Sequence, residues 1–422
     1  MFFSKNLINF YLLWSTQSLS SLGSAMTSFA LVVWSYQQNG SALTTALLSV
    51  SAYLPYVLMS LFAGAVSEQW DKKKTMLIAD ALAAAGTICI LLLYITHRLE
   101  IWHIYLVNSI NGFMNTVQRP AADVAVTLLV PENRWQHAAA LRSFSDSVQT
   151  ILSPVCAMAL YTFGGLETVI CFDLATFCTA FAVLLFMIHL PPQPAQNRTE
   201  SVLRAVQDAL QFLSRNRGVM HIILFLAAIN FIASIYNAAL PALMLSRFDE
   251  VSLGIINSTA GIAMIAGSVT ACILPPPKNR VTVIFFTLFL AMGSENFFLA
   301  FGKSLPIQCA GAFLGWIGIP VMNTNLDVIL RKNIPVEMQT RVYAARNMFQ
   351  FFTIPLGYFA GGFAVDIIFE PLAARFHPGS FVATLFGMGK SSGAALLFFI
   401  IGVLGVITCL LFSRDREIRK LS

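Results

Sequence analysis

Apolar stretches long enough to cross a lipid bilayer recur along the whole chain. A membrane-spanning helix needs about 20 mostly apolar residues to cross roughly 30 Å of hydrocarbon. Only 11% of the 422 residues are charged, whereas a soluble domain carries about 25%. This composition cannot cover the surface of a soluble protein, so we predict an all-α integral membrane protein. Twelve stretches fit transmembrane helices: 8–36, 42–67, 75–96, 103–122, 137–163, 168–190, 218–245, 252–276, 281–301, 304–330, 341–368 and 390–412.

Lys and Arg are distributed unevenly between the two sets of loops that alternate along these segments. Eighteen of them lie in the loops on the side of the two termini, and five lie in the opposite loops. Because Lys and Arg accumulate on the cytoplasmic side of membrane proteins, both termini are predicted to be cytoplasmic. The basic loops are expected to contact membrane lipids. A nucleic-acid partner is not expected, since no folded domain presents a basic face.

One charged pattern occurs twice, 204 positions apart. Three residues of the first half recur with the same spacing in the second: Asp123, Pro131 and Arg142 correspond to Asp327, Pro335 and Arg346. Many secondary transporters are built from duplicated halves with the substrate site between the repeats. We therefore predict two pseudo-symmetric six-helix bundles around a central cavity. The predicted parts are a first bundle at 1–190, a cytoplasmic linker at 191–217, and a second bundle with a basic tail at 218–422.

The linker is the one long polar stretch inside the chain. Val202, Val206, Leu210 and Leu213 recur there at helical spacing, which predicts an amphipathic helix on the membrane surface. No phosphate-binding loop occurs, so the energy for transport must come from a gradient or a partner protein. The motifs of intramembrane enzymes and of zinc sites are also missing from the sequence. The chain is therefore predicted not to be an enzyme and to need no metal or cofactor.

A short polar loop joins the second and third segments. Its residues follow the order Gly64, Glu68, Asp71, Lys72 and Lys73. The glycine, the acid four residues later and the base four later again lie on one helix face. The loop resembles the signature of the major facilitator superfamily, Gly-x-x-x-Asp-Arg-x-Gly-Arg-Arg, although it has Gln in place of the first Arg and Asp in place of the second Gly.

The resemblance extends over the whole chain and is closest to the macrolide-efflux branch of multidrug exporters. The residues that carry it include Trp14, Gln17, the Gly40-Ser41-Ala42 turn and the Leu129-Val130-Pro131-Glu132 segment. It implies a monomer in the plasma membrane of a bacterium. Such a protein exports a hydrophobic or amphipathic small molecule, such as a macrolide, by alternating access and proton antiport.

The same resemblance implies a cytoplasmic latch and also shows two departures. In the latch, Asp123 at the end of the fourth segment would pair with Lys72 or Lys73. Many proton-coupled exporters carry an Arg in the middle of the fourth helix, where this chain has Asn111. The exporter signature of the fifth helix is reduced to Ser153-Pro154. Proton coupling is thus less firmly implied than the fold.

Further charged residues lie near the cytoplasmic ends of the fourth and fifth segments. Arg119 with Asp123, and Arg142 with Asp146, are spaced as i, i+4 pairs. Arg142 has the alternative of reaching Asp123 across the loop, with Arg346 reaching Asp327 in the second half. We predict conformational ion pairs that hold loops and gates, and a role for Asp146 in binding a proton or substrate is the alternative.

Two acids lie deeper, Asp173 in the sixth segment and Glu295 in the ninth. Charges inside a membrane are rare and normally face the bundle interior. Burial disfavours the charged form of a carboxyl, so either side chain is a candidate to load and release a proton or to attract a cationic substrate. The alternative is that both lie near outer helix ends and reach interfacial water. Asp80, in the third segment, is expected to be paired near the cytoplasm.

A polar stripe that includes Gln17 and Ser24 runs along the first segment, and Asn230 and Asn237 follow each other at i, i+7 in the seventh. Such a stripe faces protein or water rather than lipid. We predict that these residues line the substrate cavity, and close packing of small residues is the alternative. Two other functions stay open on the same fold: export of an endogenous metabolite such as a siderophore, and a membrane sensor that does not transport.

Overall fold

The computed structural model describes residues 5–69, 71–131, 134–190, 202–275 and 277–421, and every regular element within these ranges is helical. The helices of the first part of the chain are α1 Lys5–Asn39, α2 Ala42–Gln69, α3 Lys72–Ile95, α4 Ile101–Leu129, α5 Trp135–Ala182, α6 Val202–Arg215, α7 Arg217–Arg247 and α8 Glu250–Ile273. The remaining helices are α9 Arg280–Phe301, α10 Leu305–Ile317, α11 Ile319–Asn333, α12 Val336–Phe363, α13 Glu370–Ala373, α14 Phe381–Phe386, α15 Ser392–Ser413 and α16 Arg416–Arg419. Two π-helical turns, Val183–Met187 and Ala364–Phe369, extend α5 and α12.

Nine helical stretches within the described ranges are long and apolar enough to cross a membrane. One of them, Phe144–Met187, is 44 residues long and bends at Gly164 and Gly165. Gly165 has φ 70°, a conformation that glycine adopts without the steric penalty of a Cβ atom. The predicted fifth and sixth segments meet at this bend. The total of twelve spans stays a prediction.

The predicted tenth segment, 304–330, corresponds to one candidate span, Leu305–Asn333, which is interrupted within its length. It forms α10 and α11, which meet at Gly318. Pro320 follows two residues later in the first turn of α11. Proline has no N–H to donate and clashes with the preceding turn in a helix interior, but it is tolerated in the first turn of a new helix.

The chain divides by its internal contacts into two compact units. The first unit contains residues 1–34 and 51–199, and the second contains 35–50 and 200–422. The end of α1 and the start of α2 therefore belong to the second unit, although they lie early in the sequence. The pseudo-symmetry of the two predicted bundles stays a prediction.

The core of the first unit is formed where α1, α3, α4 and α5 pack together. Phe10 of α1 and Met76 of α3 are almost completely buried there, beside Ala121 and Ala125 of α4. The two alanines are four residues apart, so they lie on one face of α4 and let neighbouring helices approach closely. This packing fixes the start of α3 beside the end of α4.

The second unit is built around α7, which is apolar on all sides and more deeply buried than the other candidate spans of the described ranges. It packs along α12 and α15, and α15 packs along α9. The predicted amphipathic helix forms as α6 and contacts α7 and α12. Its Leu213 is completely buried, whereas Leu210 is exposed. The apolar face of α6 thus packs at least partly on protein.

Candidate functional site

The first unit holds a buried carboxyl at Asp173, in the second part of α5. Only 4% of this residue is exposed, and its Oδ1 accepts a hydrogen bond of 3.0 Å from the Ser24 hydroxyl of α1. Gly23 makes this approach possible, because a Cβ atom there would lie 2.5 Å from Oγ1 of Thr176 and 3.0 Å from Cα of Asp173. The two predicted site residues Ser24 and Asp173 are therefore direct partners. The predicted alternative, an Asp173 at an exposed helix end, does not fit this burial.

The second unit holds a buried carboxyl at Glu295, six residues before the end of α9 at Phe301. It is 5% exposed, and its Oε1 accepts a 2.6 Å hydrogen bond from the indole N–H of Trp316 on α10. The hydroxyl of Tyr236 on α7 is a further neighbour of this carboxyl. Gly315 leaves space for the Glu295 side chain, because a Cβ atom at position 315 would lie 2.7 Å from Cβ of Glu295. Three helices of the unit converge on this one acid.

A third carboxyl, Asp80 of α3, is bound by two side-chain amides. Gln17 of α1 donates to Oδ2 at 3.2 Å, and Gln118 of α4 donates to Oδ1. The expectation of a pairing near the cytoplasm was incomplete, because these partners are neutral amides from two other helices. The sequence carried one usable signal: Gln17 and Gln118 are long amide side chains inside apolar segments, where such groups need a hydrogen-bond partner.

The other residues predicted to line the cavity are held by backbone groups. The Asn230 amide donates to the carbonyl of Gln350 on α12 at 3.2 Å. The Asn237 amide donates to the carbonyl of Ala233 in its own helix at 2.9 Å. Asn230 thus joins α7 to α12. Asn237 is partly exposed, and its hydrogen bond stays within α7.

Both acids of the repeated charged pattern have an arginine partner. Arg142 of α5 pairs with Asp123 of α4 in the first unit. In the second unit, Nη1 of Arg346 on α12 lies 3.9 Å from Oδ1 of Asp327 on α11. Of the two arrangements left open by the sequence, this is the one across the loop. Asp146 is exposed, and Arg142 turns to Asp123 instead.

Of the two lysines implied for the latch with Asp123, Lys73 does not form it in the described part of the structure, and the Lys72 alternative stays a prediction. The Lys73 ammonium group donates instead to the carbonyls of Leu185 and Ile188, at 2.9 and 2.7 Å. These carbonyls lie at the end of a helical segment, where backbone oxygens lack intrahelical partners and attract a cation. Lys72 is buried.

Asp71 begins α3, and its carboxylate accepts the Lys74 N–H at 2.9 Å as a helix cap. The backbone of Gly64 and Glu68 lies in α2. The side chains of 60–70 lie outside the described part of the structure, and the glycine and acid of the predicted signature loop belong to this range.

In the second unit, Asp366 makes a polar contact that the sequence did not indicate. Asp366, in the π-helical turn after α12, accepts three hydrogen bonds from the start of α2. The donors are the Ser41 hydroxyl at 2.6 Å and the N–H groups of Ala42 and Leu43 at 3.0 and 2.8 Å. A carboxylate is favoured at this position because the first N–H groups of a helix lack partners and carry partial positive charge.

The chain matches the profile of a known protein family. The profile described as Major Facilitator Superfamily matches residues 13–358. The chain belongs to this superfamily. The predicted resemblance and the all-α membrane fold are thereby confirmed. A major facilitator protein is a membrane transporter and not an enzyme, so that prediction is confirmed as well.

Individual proteins are similar to the chain over most of its length. Macrolide efflux protein A of Streptococcus pyogenes is 22% identical over 367 residues, which cover 86% of this chain and 90% of that protein. Enterobactin exporter EntS of Citrobacter koseri is 25% identical over 297 residues, or 68% of each chain. The crystal structure of nucleoside transporter NupG superposes with a TM-score of 0.64, 14% identity and coverage of 96% of this chain and 98% of that one. This last similarity shows the fold alone.

Proposed function

We propose that this transporter exports a hydrophobic or amphipathic small molecule by alternating access, in exchange for protons. The observation that carries the proposal is a buried carboxyl in each unit whose hydrogen-bond donor is neutral. Ser24 serves Asp173, and Trp316 serves Glu295. An ionisable residue inside a membrane protein is costly to keep and is typical of a substrate or proton pathway.

The chemistry of these two sites suits reversible protonation. A buried carboxylate without a cationic partner is unfavourable, because burial disfavours the charged form. Neutral hydroxyl and indole donors offset only part of that penalty. Each carboxyl is therefore expected to take up a proton when its surroundings close and to release it when water enters. Exchange of that proton for substrate would couple export to the proton gradient.

The relatives support export and the nature of the substrate. Macrolide efflux protein A and enterobactin exporter EntS both have names that state efflux of a large organic molecule. The residues proposed for the substrate cavity are Gln17, Ser24, Asp146, Asn230 and Asn237, together with the two buried carboxyls. We place the transporter as a monomer in the bacterial plasma membrane, with both termini in the cytoplasm, in line with the Lys and Arg distribution.

The ion pairs near the helix ends have a separate proposed role as gates. Arg142–Asp123 and Arg346–Asp327 occupy equivalent positions of the repeat. Each joins two successive helices of its own unit, so breaking one frees the loop between them. Both side chains of the Arg142–Asp123 pair are more than half exposed, so this pair is weak, about 0–1 kcal/mol, and can open and close during transport. Arg346 is more deeply buried, with 17% of its side chain exposed.

Transport into proteoliposomes with an imposed pH gradient tests the proposal. Purified protein would be reconstituted and the uptake of labelled erythromycin measured with and without the gradient. Glu295→Gln and Asp173→Asn are expected to remove the response to the gradient, because both keep the shape of the side chain but lose the titrating group. Glu417→Gln, in the C-terminal tail, is the matched control and is expected to retain the response. Uptake by the unmodified protein that does not respond to the gradient would remove the antiport proposal.

A second candidate function is export of a siderophore-like metabolite, which the similarity to the enterobactin exporter favours. Competition decides between the two substrates: unlabelled enterobactin would suppress erythromycin uptake if enterobactin is the better substrate. Binding of either compound without any translocation would instead favour a sensor.

A further inference from the structure

A crevice of about 460 Å³ opens on the second unit between α9 and α15. Its deeper wall is apolar and consists mainly of Phe285, Phe286 and Phe289 of α9, with Leu410 of α15 opposite. Phe286 and Leu410 are 64% and 48% exposed. Exposed apolar side chains on a membrane helix face acyl chains, so this wall is suited to hydrocarbon.

The other end of the crevice is polar. Asn279 and Thr282 lie at the start of α9, Ser413 lies at the end of α15, and Arg419 comes from the tail helix α16. All four belong to helix ends on the side of the C-terminal tail. Polarity therefore changes along the crevice from charged to apolar, as it does along a single phospholipid molecule.

The length of the crevice matches one leaflet. Its lining runs along α9 from Asn279 to Phe289, ten residues that rise about 15 Å in an α-helix. The hydrocarbon core of a bilayer is about 30 Å thick. The crevice thus reaches from the surface to about the middle of the membrane.

The charge around the polar end is positive. Arg419 is exposed and is oriented by a 2.8 Å hydrogen bond from its Nε to the Ser413 carbonyl. Three further basic residues are exposed nearby: Lys278 before α9, Arg414 after α15 and Arg416 in α16. Two acids of the described tail have basic partners. Asp415 caps α16 and contacts His221, and Glu417 pairs with Lys420.

We propose that this crevice binds one anionic phospholipid, with an acyl chain along the three phenylalanines and the headgroup phosphate at Arg419. Basic pockets between transmembrane helices bind anionic headgroups in this way, and each basic residue near the surface contributes to the affinity. The site is independent of the proposed substrate, because none of its residues belongs to the candidate transport site.

Tryptophan quenching by brominated lipids tests the site. In Phe286→Trp, brominated phosphatidylglycerol is expected to quench the added fluorescence more strongly than brominated phosphatidylcholine at the same content. Leu411→Trp is the matched control, since Leu411 lies beside Leu410, is 65% exposed and does not line the crevice. It is expected to be quenched equally by both lipids.

The charge requirement is tested by two arginine variants in the Phe286→Trp background. Arg419→Gln is expected to weaken the preference for phosphatidylglycerol about fivefold, the loss of one cationic contact. Arg416 lies on the same short helix but outside the crevice. Arg416→Gln is therefore expected to change the preference for phosphatidylglycerol little. Equal losses in both would show only general attraction to an anionic surface. Equal quenching of Phe286→Trp by both lipids would overturn the proposal. Thermal unfolding of each variant in phosphatidylcholine shows that it is folded.

Discussion

Trp316 of α10 and Glu295 of α9 are joined by a 2.6 Å hydrogen bond inside the second unit. The relationship is specific because the Trp316 side chain has one polar atom and directs it at the one acid of α9. Trp316→Phe is expected to destabilise the protein by about 1–3 kcal/mol, since it leaves a buried acceptor less well satisfied. The midpoint of thermal unfolding in detergent would measure this loss.

The control for this prediction combines Trp316→Phe with a substitution of Glu295. In a Glu295→Leu background the indole no longer has its acceptor, so Trp316→Phe should then cost much less. If the two changes are additive, the hydrogen bond contributes nothing to stability and Trp316 acts by packing alone.

The amide pair on Asp80 gives a second prediction. Gln17 and Gln118 approach the carboxylate from two different helices, so Gln118→Leu is expected to destabilise the protein by about 1–3 kcal/mol. Asp80→Asn, which keeps shape and polarity, should cost less than Gln118→Leu. Unfolding midpoints would be compared with those of Gln211→Leu, a change at an exposed position of α6. A loss for Gln211→Leu as large as that for Gln118→Leu would contradict this reading.

The Arg142–Asp123 pair is expected to matter for transport rather than for stability. Both side chains are more than half exposed, so Arg142→Gln should change the free energy of unfolding by no more than about 1 kcal/mol. The rate of substrate transport should nevertheless change, because the loop between α4 and α5 loses its restraint. The exchange of both charges, Asp123→Arg with Arg142→Asp, should restore part of the rate. A rate unchanged in Arg142→Gln would exclude the proposed gating role.

Asp366 is expected to stabilise the start of α2. It replaces the missing partners of two backbone N–H groups and binds the Ser41 hydroxyl. Asp366→Ala should destabilise the second unit by about 0.5–2 kcal/mol, the usual range for loss of a helix cap. Hydrogen exchange at Ala42 and Leu43 would report the effect locally. Protection at these two amides that survives the substitution would argue against the cap.

The tail helix α16 gives a prediction for pH. Burial alone would raise the pKa of the Asp415 carboxyl, but the N–H groups of Ile418 and Glu417 and the imidazole of His221 outweigh it and hold that pKa below its ordinary value. A lowered pKa stabilises the folded form at pH above the unfolded value of about 3.9. This contribution is lost only as the pH falls below that value, through the folded pKa.

Docking of the tail should therefore be constant from about pH 8 to pH 5 and weaken below about pH 4. Hydrogen exchange of residues 414–421 in detergent would follow it. Asp415→Asn should remove the dependence at low pH. A loss of protection between pH 8 and pH 6 would contradict the assignment of this dependence to Asp415.

The sequence was sufficient for features that depend on composition and on distance along the chain. The apolar segments predicted α7, α8 and α9 within a few residues, because a helix in lipid must satisfy its own backbone hydrogen bonds and its length is fixed by the bilayer. The spacing of Asp123 and Arg142 allowed their contact across a short loop. The buried acids Asp173 and Glu295 could be selected because a carboxyl inside an apolar segment is unusual.

Only the tertiary structure decided which side chains are partners. Trp316 follows Glu295 by 21 residues and Ser24 precedes Asp173 by 149, and nothing in a single sequence states which helices are neighbours. The same reason explains the position of Lys73. Its ammonium group binds carbonyl oxygens at the end of another helical segment rather than Asp123. Apolar helices specify that they lie in the membrane. Their order within it depends on small residues such as Gly23 and Gly315 that permit close approach, and this close packing is visible only in three dimensions.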